Sequence, residues 1–386
     1  MSILARHFTE PRVYGLVEGV LPMGMEDSQG AWATEAEAGL PADRAKAEAA
    51  RVLELGLQAA PSVRDRSIPL FARGNTASFM GVNTFLSASY LEDARAVGRY
   101  DVAFLGEPLD TGTTYRAGTR FGPQAMRRAS ALTSLYNFEL GMDLAESLTM
   151  CDLGDVHVIP ANIEKSFDQI SRAMGHVYAS GAFPVVLGGD HSVGYPNVRG
   201  IAPLVEGKIG IIHFDRHSDT DETNMDERMH GTPFFHAANI PNAPPANLVQ
   251  IGIGGWLSSR TAVAVSRDRR STVITLDDID RLGIARTVEL ALETAWKGAR
   301  AVYLSFDIDS VDPAFAPGTG APEPGGLQPR EVFKLLHGVA REGLCAMEVV
   351  EVSPPYDVSD LTALLGVRAV LYTLAGLVGA GKLGRR

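Results

Sequence analysis

Asp215, His217 and Asp219 alternate where an apolar run, Ile209 to Phe214, comes to an end. Alternate side chains of a β-strand share one face. If that geometry carries into the following loop, two carboxylates and an imidazole meet at the strand's C-terminal end. Unpaired carboxylates are costly to desolvate, and a divalent cation between them is the simplest way to hold the three together. Three other places pair an apolar run with chemistry just beyond it. Gly188-Gly189-Asp190-His191-Ser192 follows Pro184 to Leu187, Asp307-Ile308-Asp309 follows Ala301 to Phe306, and Glu351 follows Ala346 to Val350.

Taken singly, most of these have plain structural readings. A histidine in a Gly-rich loop is more often hydrogen-bonded than ligating, Asp-x-Asp is common, and a carboxylate at a strand end can cap the next loop. Together they demand compensating positive charge. Counting ligands gives His191, Asp215, His217, Asp219, Asp307 and Asp309. That set exceeds one tetrahedral site and suits two ions sharing carboxylates. Its lack of thiolate disfavours structural zinc and favours ions of the Mn²⁺ or Ni²⁺ kind. Two ions ~4 Å apart can share a bridging water and deliver hydroxide at neutral pH. His230, in a loop after the acidic stretch Asp219 to Arg228, can supply the proton a leaving amine needs. His213, on the same alternation as Ile211, reads instead as a buried strand residue.

The elements that must position these groups follow from periodicity. Strands are expected at Val102–Leu105, Val156–Ile159, Pro184–Leu187, Lys208–Phe214, Leu248–Ile251, Val273–Leu276, Ala301–Phe306 and Ala346–Glu351. Helices are expected at Pro123–Ala131, Ile163–Ser180, Arg286–Lys297, Pro329–Arg341 and Leu361–Val378. Such alternation implies an α/β fold with a mainly parallel sheet between two helical layers. Open sheets of this kind bind ligands beyond the C-terminal strand ends. Residues 1–78 read differently: a Gly/Met/acid-rich stretch, Met23 to Gly39, then one helical pattern, Ala42 to Ala60. They are expected to be an N-terminal extension packing on the core or on a neighbouring subunit, with residues 79–386 the catalytic domain.

The chain has 386 residues, enough for this arrangement, and a net charge of -11, which argues against nucleic-acid binding. Cys151 and Cys345 cannot make a disulfide framework or a Cys-rich zinc site. Met1 to Arg12 shows no apolar signal core, and no run reaches ~18 uninterrupted apolar residues. No membrane span and a cytoplasmic location are therefore expected.

Gly-Gly-Asp-His-Ser (188–192), Asp-x-His-x-Asp-Thr (215–220), Ser-Phe-Asp-Ile-Asp (305–309), Asp-Pro-x-x-x-Pro-Gly-Thr-Gly (312–320) and Glu-Val-Ser-Pro-Pro-Tyr-Asp (351–357) resemble the motifs of the ureohydrolase family. That family includes arginase, agmatinase, guanidinobutyrase and guanidine hydrolase. The resemblance spans roughly residues 79–383. It implies a three-layer α/β/α fold of the arginase type, two divalent ions per chain (Mn²⁺ or Ni²⁺) and hydrolysis of a C–N bond in a small cationic guanidine compound. It also implies that His191, Asp215, Asp219 and Asp307 hold one ion, and that Asp215, His217, Asp307 and Asp309 hold the other. Hydroxide bridging the ions would attack the guanidinium carbon with Asp219 orienting it. Glu351 would pair with the guanidinium and His230 would shuttle the proton. Homo- or hetero-oligomers, trimers or hexamers, are the implied assemblies.

Within the family, Arg216 between the ligands Asp215 and His217, the stretch Asp221 to Met229 and Gly254-Gly255-Trp256 look most like the guanidine hydrolase branch, near which metformin hydrolases also lie. Guanidine enzymes of that branch are expected to carry Trp at the places of Ala321 and Phe234. The smaller residues here imply a larger cavity, and so a substituted guanidine or a biguanide. Glu323 is a candidate to hold a second cationic group. Agmatine or guanidinobutyrate hydrolysis is the alternative within the family. Two readings lie outside it: a single-zinc deacetylase-like enzyme, which predicts one ion, and a non-catalytic subunit of a hetero-oligomer, which should have lost ligands that this chain keeps.

Overall fold

The structure, a computed structural model, describes residues 78–384 together with Ala47 and Ala50. The chain divides into two units, Met1–Arg73 and Gly74–Arg386. The stretch Met23 to Gly39 and the helical pattern Ala42 to Ala60 lie outside the described residues, save Ala47 and Ala50, both helical.

In chain order the second unit runs β1 (Ser89–Tyr90), β2 (Val102–Gly106), α1 (Gly122–Ser130), β3 (Tyr136–Asn137), β4 (Met142–Asp143), α2 (Leu144–Ser147), β5 (Met150–Asp155), α3 (Ile163–Ala179), β6 (Phe183–Leu187) and α4 (Gly194–Ile201). It continues with β7 (Lys208–Phe214), α5 (Pro233–Ala237), β8 (Leu248–Ile253), α6 (Arg260–Arg269), β9 (Thr272–Thr275), α7 (Leu276–Ala295), β10 (Ala299–Asp307), α8 (Pro329–Ala340), β11 (Ala346–Val350) and α9 (Leu361–Gly379). Nine strands form one sheet in the order β1-β5-β2-β6-β11-β10-β7-β8-β9. Every neighbouring pair is parallel, while β3 and β4 form a separate antiparallel pair.

The period-two pattern sorts side chains onto the two faces. Ile212, Phe214, Val302, Leu304 and Phe306 pack in one core with residues of α1, α7, α8 and α9. Ile209, Ile211, Ala301 and Tyr303 join the other with residues of α3, α4 and α5. The result is the expected three-layer α/β/α architecture. Parallel strands buried on both faces read as near-continuous apolar runs, which is why β6, β7, β10 and β11 were visible in the sequence.

Other elements differ from expectation. Val156–Ile159 is not a strand; the strand is β5, just upstream. Its apolar pattern is broken by Asp152, which is buried and holds the Arg127 guanidinium through Nε (2.8 Å) and Nη2 (2.9 Å). The span α7 starts at Leu276, where Thr275 and Asp278 form a capping box, and is broken at Gly283 (φ 73°); the helix expected from Arg286 is its second segment. The strand before it accordingly ends at Thr275. Helix α4, Gly-Tyr-Pro-Asn-Val-Arg-Gly-Ile, was hidden by its glycines and proline. By length and composition alone α9 could cross a bilayer, but it is a core helix, with 67% of that window buried.

The functional consequence lies in the register of four adjacent strands. Val349 of β11 pairs with Leu187 of β6, Asp307 of β10 with Val350, and Phe306 with Phe214 of β7. Their C-terminal ends therefore open on one edge, side by side.

Removing one partner of a buried ion pair leaves the other charge uncompensated. Arg127→Ala, which frees Asp152, is therefore expected to lower unfolding stability by about 3–5 kcal/mol, read as a lower midpoint in urea titration.

Candidate metal centre

The four strand ends bring all six expected ligands together. His191 follows the tight Gly188-Gly189 turn, where a side chain on Gly189 would collide with the Leu109 carbonyl. Its Nδ1 lies 3.2 Å from Asp215, 2.9 Å from Asp219 and 2.8 Å from Asp307. His217 Nδ1 lies 3.4 Å from the other oxygen of Asp215 and 3.1 Å from Asp309. Asp215 thus touches both histidines, one through each carboxylate oxygen. Two clusters, His191 with His213, Asp215 and Asp219, and Asp215 with His217 and Asp309, each have a spacing that could hold a metal ion.

The charge balance says what fits there. Asp215, Asp307 and Asp309 are buried and Asp219 is nearly so, with no Lys or Arg side chain bonded to any of them among the described residues. Burial, then the Asp215 charge, pushes Asp219 up to about 7. Burial likewise pushes Asp309 up to about 6 and raises Asp307 well above the carboxylate range. Burial opposes a charge on His191, yet the nearby carboxylates of Asp215, Asp219 and Asp307 outweigh it and lift the imidazole. With protein atoms alone, the cluster can be neutral only by collecting protons. His191 Nδ1 nevertheless has no regular hydrogen-bond partner. A carboxylate-rich, thiolate-free donor set with such an orphaned imidazole nitrogen suits hard or borderline divalent ions.

Outer residues hold the ligands in place. His191 Nε2 bonds Ser305 Oγ (2.8 Å), leaving Nδ1 to face the carboxylates. Gln250 Nε2 donates to His213 Nδ1 (3.0 Å), and His213 Nε2 meets Asp215 Oδ2 at 2.8 Å. Burial lowers His213 to about 4, so it is neutral and orients Asp215, the structural role expected from its place in the strand. Ser305 and Gln250 were not singled out in the sequence. The available signal was a polar residue inside an apolar strand, but which ligand each would meet depends on pairing.

Glu351 and His230 meet above the centre. Glu351 Oε1 accepts from the His191 backbone N–H (2.9 Å) and lies 3.1 Å from His230 Nδ1. Its other oxygen, Oε2, has no protein partner. His230 Nε2 meets Thr114 Oγ1 at 2.9 Å. Burial disfavours a charged His230, but Glu351 prevails and raises it to about 9. Asp219 and Glu351 both adopt positive φ, 47° and 62°. Non-glycine residues in that region are uncommon and strained.

A cavity of about 480 Å³ opens on this edge, lined by Asp219, Asp307, Asp309, Glu351, His217 and His230 at its base. Asp221, Thr114, Arg116 and Ala321 also line it. Three residues flagged for specificity do not. Phe234 is fully buried against His213, with ring centroids 4.1 Å apart, so its size does not set the cavity's width. Arg216 bonds the carbonyls of Gly252 (3.0 Å) and Pro324 (3.5 Å) and ties the end of β8 to the loop around Pro324. Glu323 accepts from the Trp256 backbone N–H (3.3 Å).

Comparison with known proteins agrees with this geometry. The arginase family model matches residues 100–376, and the chain belongs to that family. It is 38% identical to a mitochondrial agmatinase of Gallus gallus over 280 residues, 72% of this chain and 82% of the relative. It is 34% identical to a guanidinobutyrase of Pseudomonas aeruginosa over 302 residues, covering 78% and 94%. Among solved structures, proclavaminate amidino hydrolase from Streptomyces clavuligerus superposes with a TM-score of 0.74 at 34% identity, covering 79% of this chain and 100% of that one. A Trypanosoma cruzi formiminoglutamase described with Mn²⁺ superposes with a TM-score of 0.67 at 26% identity, covering 72% and 94%. The protein is a hydrolase acting on C–N bonds of linear amidines.

The two clusters predict uptake of two divalent ions per chain, measured by mass spectrometry on desalted protein. Asp215→Ala, which removes the carboxylate common to both, is expected to lower occupancy toward zero. Asp309→Ala is expected to cost about one ion.

Proposed function

We propose that this chain hydrolyses a C–N bond of a small guanidine compound, preferentially a substituted guanidine or a biguanide such as metformin, with guanidine itself as the smallest candidate. The observation that carries the reading is Glu351, which lines the acidic cavity beside Asp219, Asp307 and Asp309 and keeps one carboxylate oxygen free of protein partners. A guanidinium is planar and cationic, and a carboxylate matches its geometry. The names of the relatives, agmatinase, guanidinobutyrase and proclavaminate amidino hydrolase, all point to substituted guanidines. A cavity of about 480 Å³ with small Ala321 on its wall leaves room for such a substituent.

In this reading His191, Asp215, Asp219 and Asp307 hold one ion, and Asp215, His217, Asp307 and Asp309 the other, with Mn²⁺ or Ni²⁺ as candidates. When bound, the ions supply the positive charge that the carboxylates lack and lower the pKa of water toward neutrality. The chain's own groups do the rest. Glu351 fixes the guanidinium plane through Oε2 while its Oε1 stays tied to the His191 backbone and His230. Asp219, held at positive φ, orients the attacking water. His230 carries a proton at neutral pH and hands it to the departing amine through Nε2, directly or across the Thr114 hydroxyl. Without that proton the amine is a poor leaving group.

The catalytic unit in this proposal is residues 79–386, cytoplasmic and assembled as a trimer or hexamer. Asp221 and Arg116 on the cavity wall distinguish tails: the first suits an ammonium, as in agmatine, the second a carboxylate, as in guanidinobutyrate.

Metal-loaded protein is expected to release urea from guanidine, agmatine or guanidinobutyrate, or guanylurea from metformin, with a substituted compound turned over best. Absence of turnover across all four would refute the substrate reading. Glu351→Gln is expected to lower kcat/KM by about 30-fold or more, the ~2 kcal/mol minimum for losing one partner of a buried charge contact. His230 loses its proton as pH rises through about 9, so activity should fall there. His230→Asn should lower kcat by about 10²–10⁴ and abolish that alkaline limb in the pH–rate profile.

A further inference from the structure

Helix α9 is an apolar core helix with one charged residue, Arg368. Arg368, Leu371, Tyr372 and Ala375 fall at i, i+3, i+4 and i+7, so they share one helical face. That face forms one wall of a second cavity, of about 390 Å³. Leu135, Tyr136 and Met142, in and around the β3–β4 pair, also line it. It shares no lining residue with the acidic cavity at the strand ends, and the proposed reaction does not use it.

Arg368 is half-buried and has no acid to answer it. Its Nη1 donates to Thr133 Oγ1 at 2.8 Å, and among the described residues no Asp or Glu side chain pairs with it. Glu139 lines the same cavity but is exposed and makes no ion pair with Arg368. Burial holds the guanidinium below its ordinary value, with only Tyr372 acting the other way. Thr133 thus fixes the guanidinium without neutralising it. The wall beside it is fixed too, because Tyr372 stacks on Phe333 with ring centroids 4.6 Å apart and planes 4° from parallel.

A planar guanidinium presents paired N–H donors that match a carboxylate. Small-molecule sites have volumes of this order, apolar walls and a few placed polar groups. We propose that this cavity binds a small monocarboxylate with an apolar, preferentially aromatic body, its carboxylate on Arg368 and its body against Leu135, Tyr136, Leu371 and Tyr372. The chain's net charge of -11 repels anions in general, so binding here depends on this one arginine. The guanidine compounds suited to the acidic cavity are repelled by it, which makes the two cavities opposite in charge as well as separate in place.

The test is isothermal titration of the full-length, metal-loaded protein with 3-phenylpropionate. Saturable binding is expected, about one molecule per chain, with a Kd of about 1 mM or tighter. The neutral counterpart 3-phenylpropanol should bind about tenfold or more weakly, and Arg368→Gln should weaken 3-phenylpropionate by the same factor. Tyr136→Ala, which removes a ring from the wall, should weaken it about threefold or more. The proposal is overturned if 3-phenylpropionate does not bind the parent, if the alcohol binds as well, or if either variant binds like the parent. Failure of the parent to bind, with Arg368→Gln lowering the mass of the oligomer, would assign the cavity to a carboxylate of a neighbouring copy and likewise overturn it. Should Arg368→Gln fail to fold, the preference for the carboxylate over the alcohol and the weakening in Tyr136→Ala decide together. No readout involves hydrolysis, so the result stands whatever substrate the acidic cavity takes.

Discussion

Mutual repulsion among Asp215, Asp219, Asp307 and Asp309 is the constraint around which the rest of this protein is arranged. The fold crowds these largely buried side chains onto one edge of a sheet, and among the described residues only the imidazoles of His191, His213 and His217 stand against them. Such a cluster is expensive unless positive charge enters it. The deficit is written into the groups themselves: burial and neighbouring charge leave Asp219 at about 7 and Asp309 at about 6. A pair of divalent ions, as proposed, would relieve that cost, and the same charge would then serve hydrolysis. Stability and chemistry are therefore linked through one electrostatic balance.

The parallel sheet makes the crowding possible. Four neighbouring strands, β6, β11, β10 and β7, end in matched register, so each following residue or two lands near the same point. The outer groups then fix direction. Ser305, His213 with Gln250, and the backbone N–H groups each satisfy one atom of a ligand and leave another toward the centre. Glu351 follows the same logic: one oxygen is tied down and one is free. The positive φ at Asp219 and Glu351 shows the backbone giving up comfort where side-chain aim matters.

The loops around the cavity divide into those that shape it and those that brace it. Thr114, Arg116, Asp221 and Ala321 reach the wall. Arg216, Glu323 and Phe234 turn elsewhere, onto loop carbonyls, a backbone N–H and the His213 ring. In the proposed reaction specificity would rest on the first group, while Arg216, the residue that stood out most within its motif, holds the end of β8 to the loop around Pro324.

The sequence by itself determined the fold class and picked out the acids and histidines that the strand ends bring together. Alternation at Asp215, His217 and Asp219, repeated at Asp307 and Asp309, marked the candidates locally, but strand geometry does not carry into the loops. Asp215 to Asp219 lie beyond β7, Asp219 has a positive φ, and Asp309 sits in a 3-10 turn after β10, so the loops aim these side chains. The buried strands β7 and β10 were legible as near-continuous apolar runs. Only the tertiary structure decided what depends on neighbours distant in the chain. Strand β5 escaped notice because Asp152 pairs with Arg127 from another element. Gln250 was anonymous until β8 lay beside β7. Arg368 and Leu135, far apart in sequence, came to line one cavity only through packing. Periodicity reports which way a side chain points; which group it meets is set by the packing that brings the elements together.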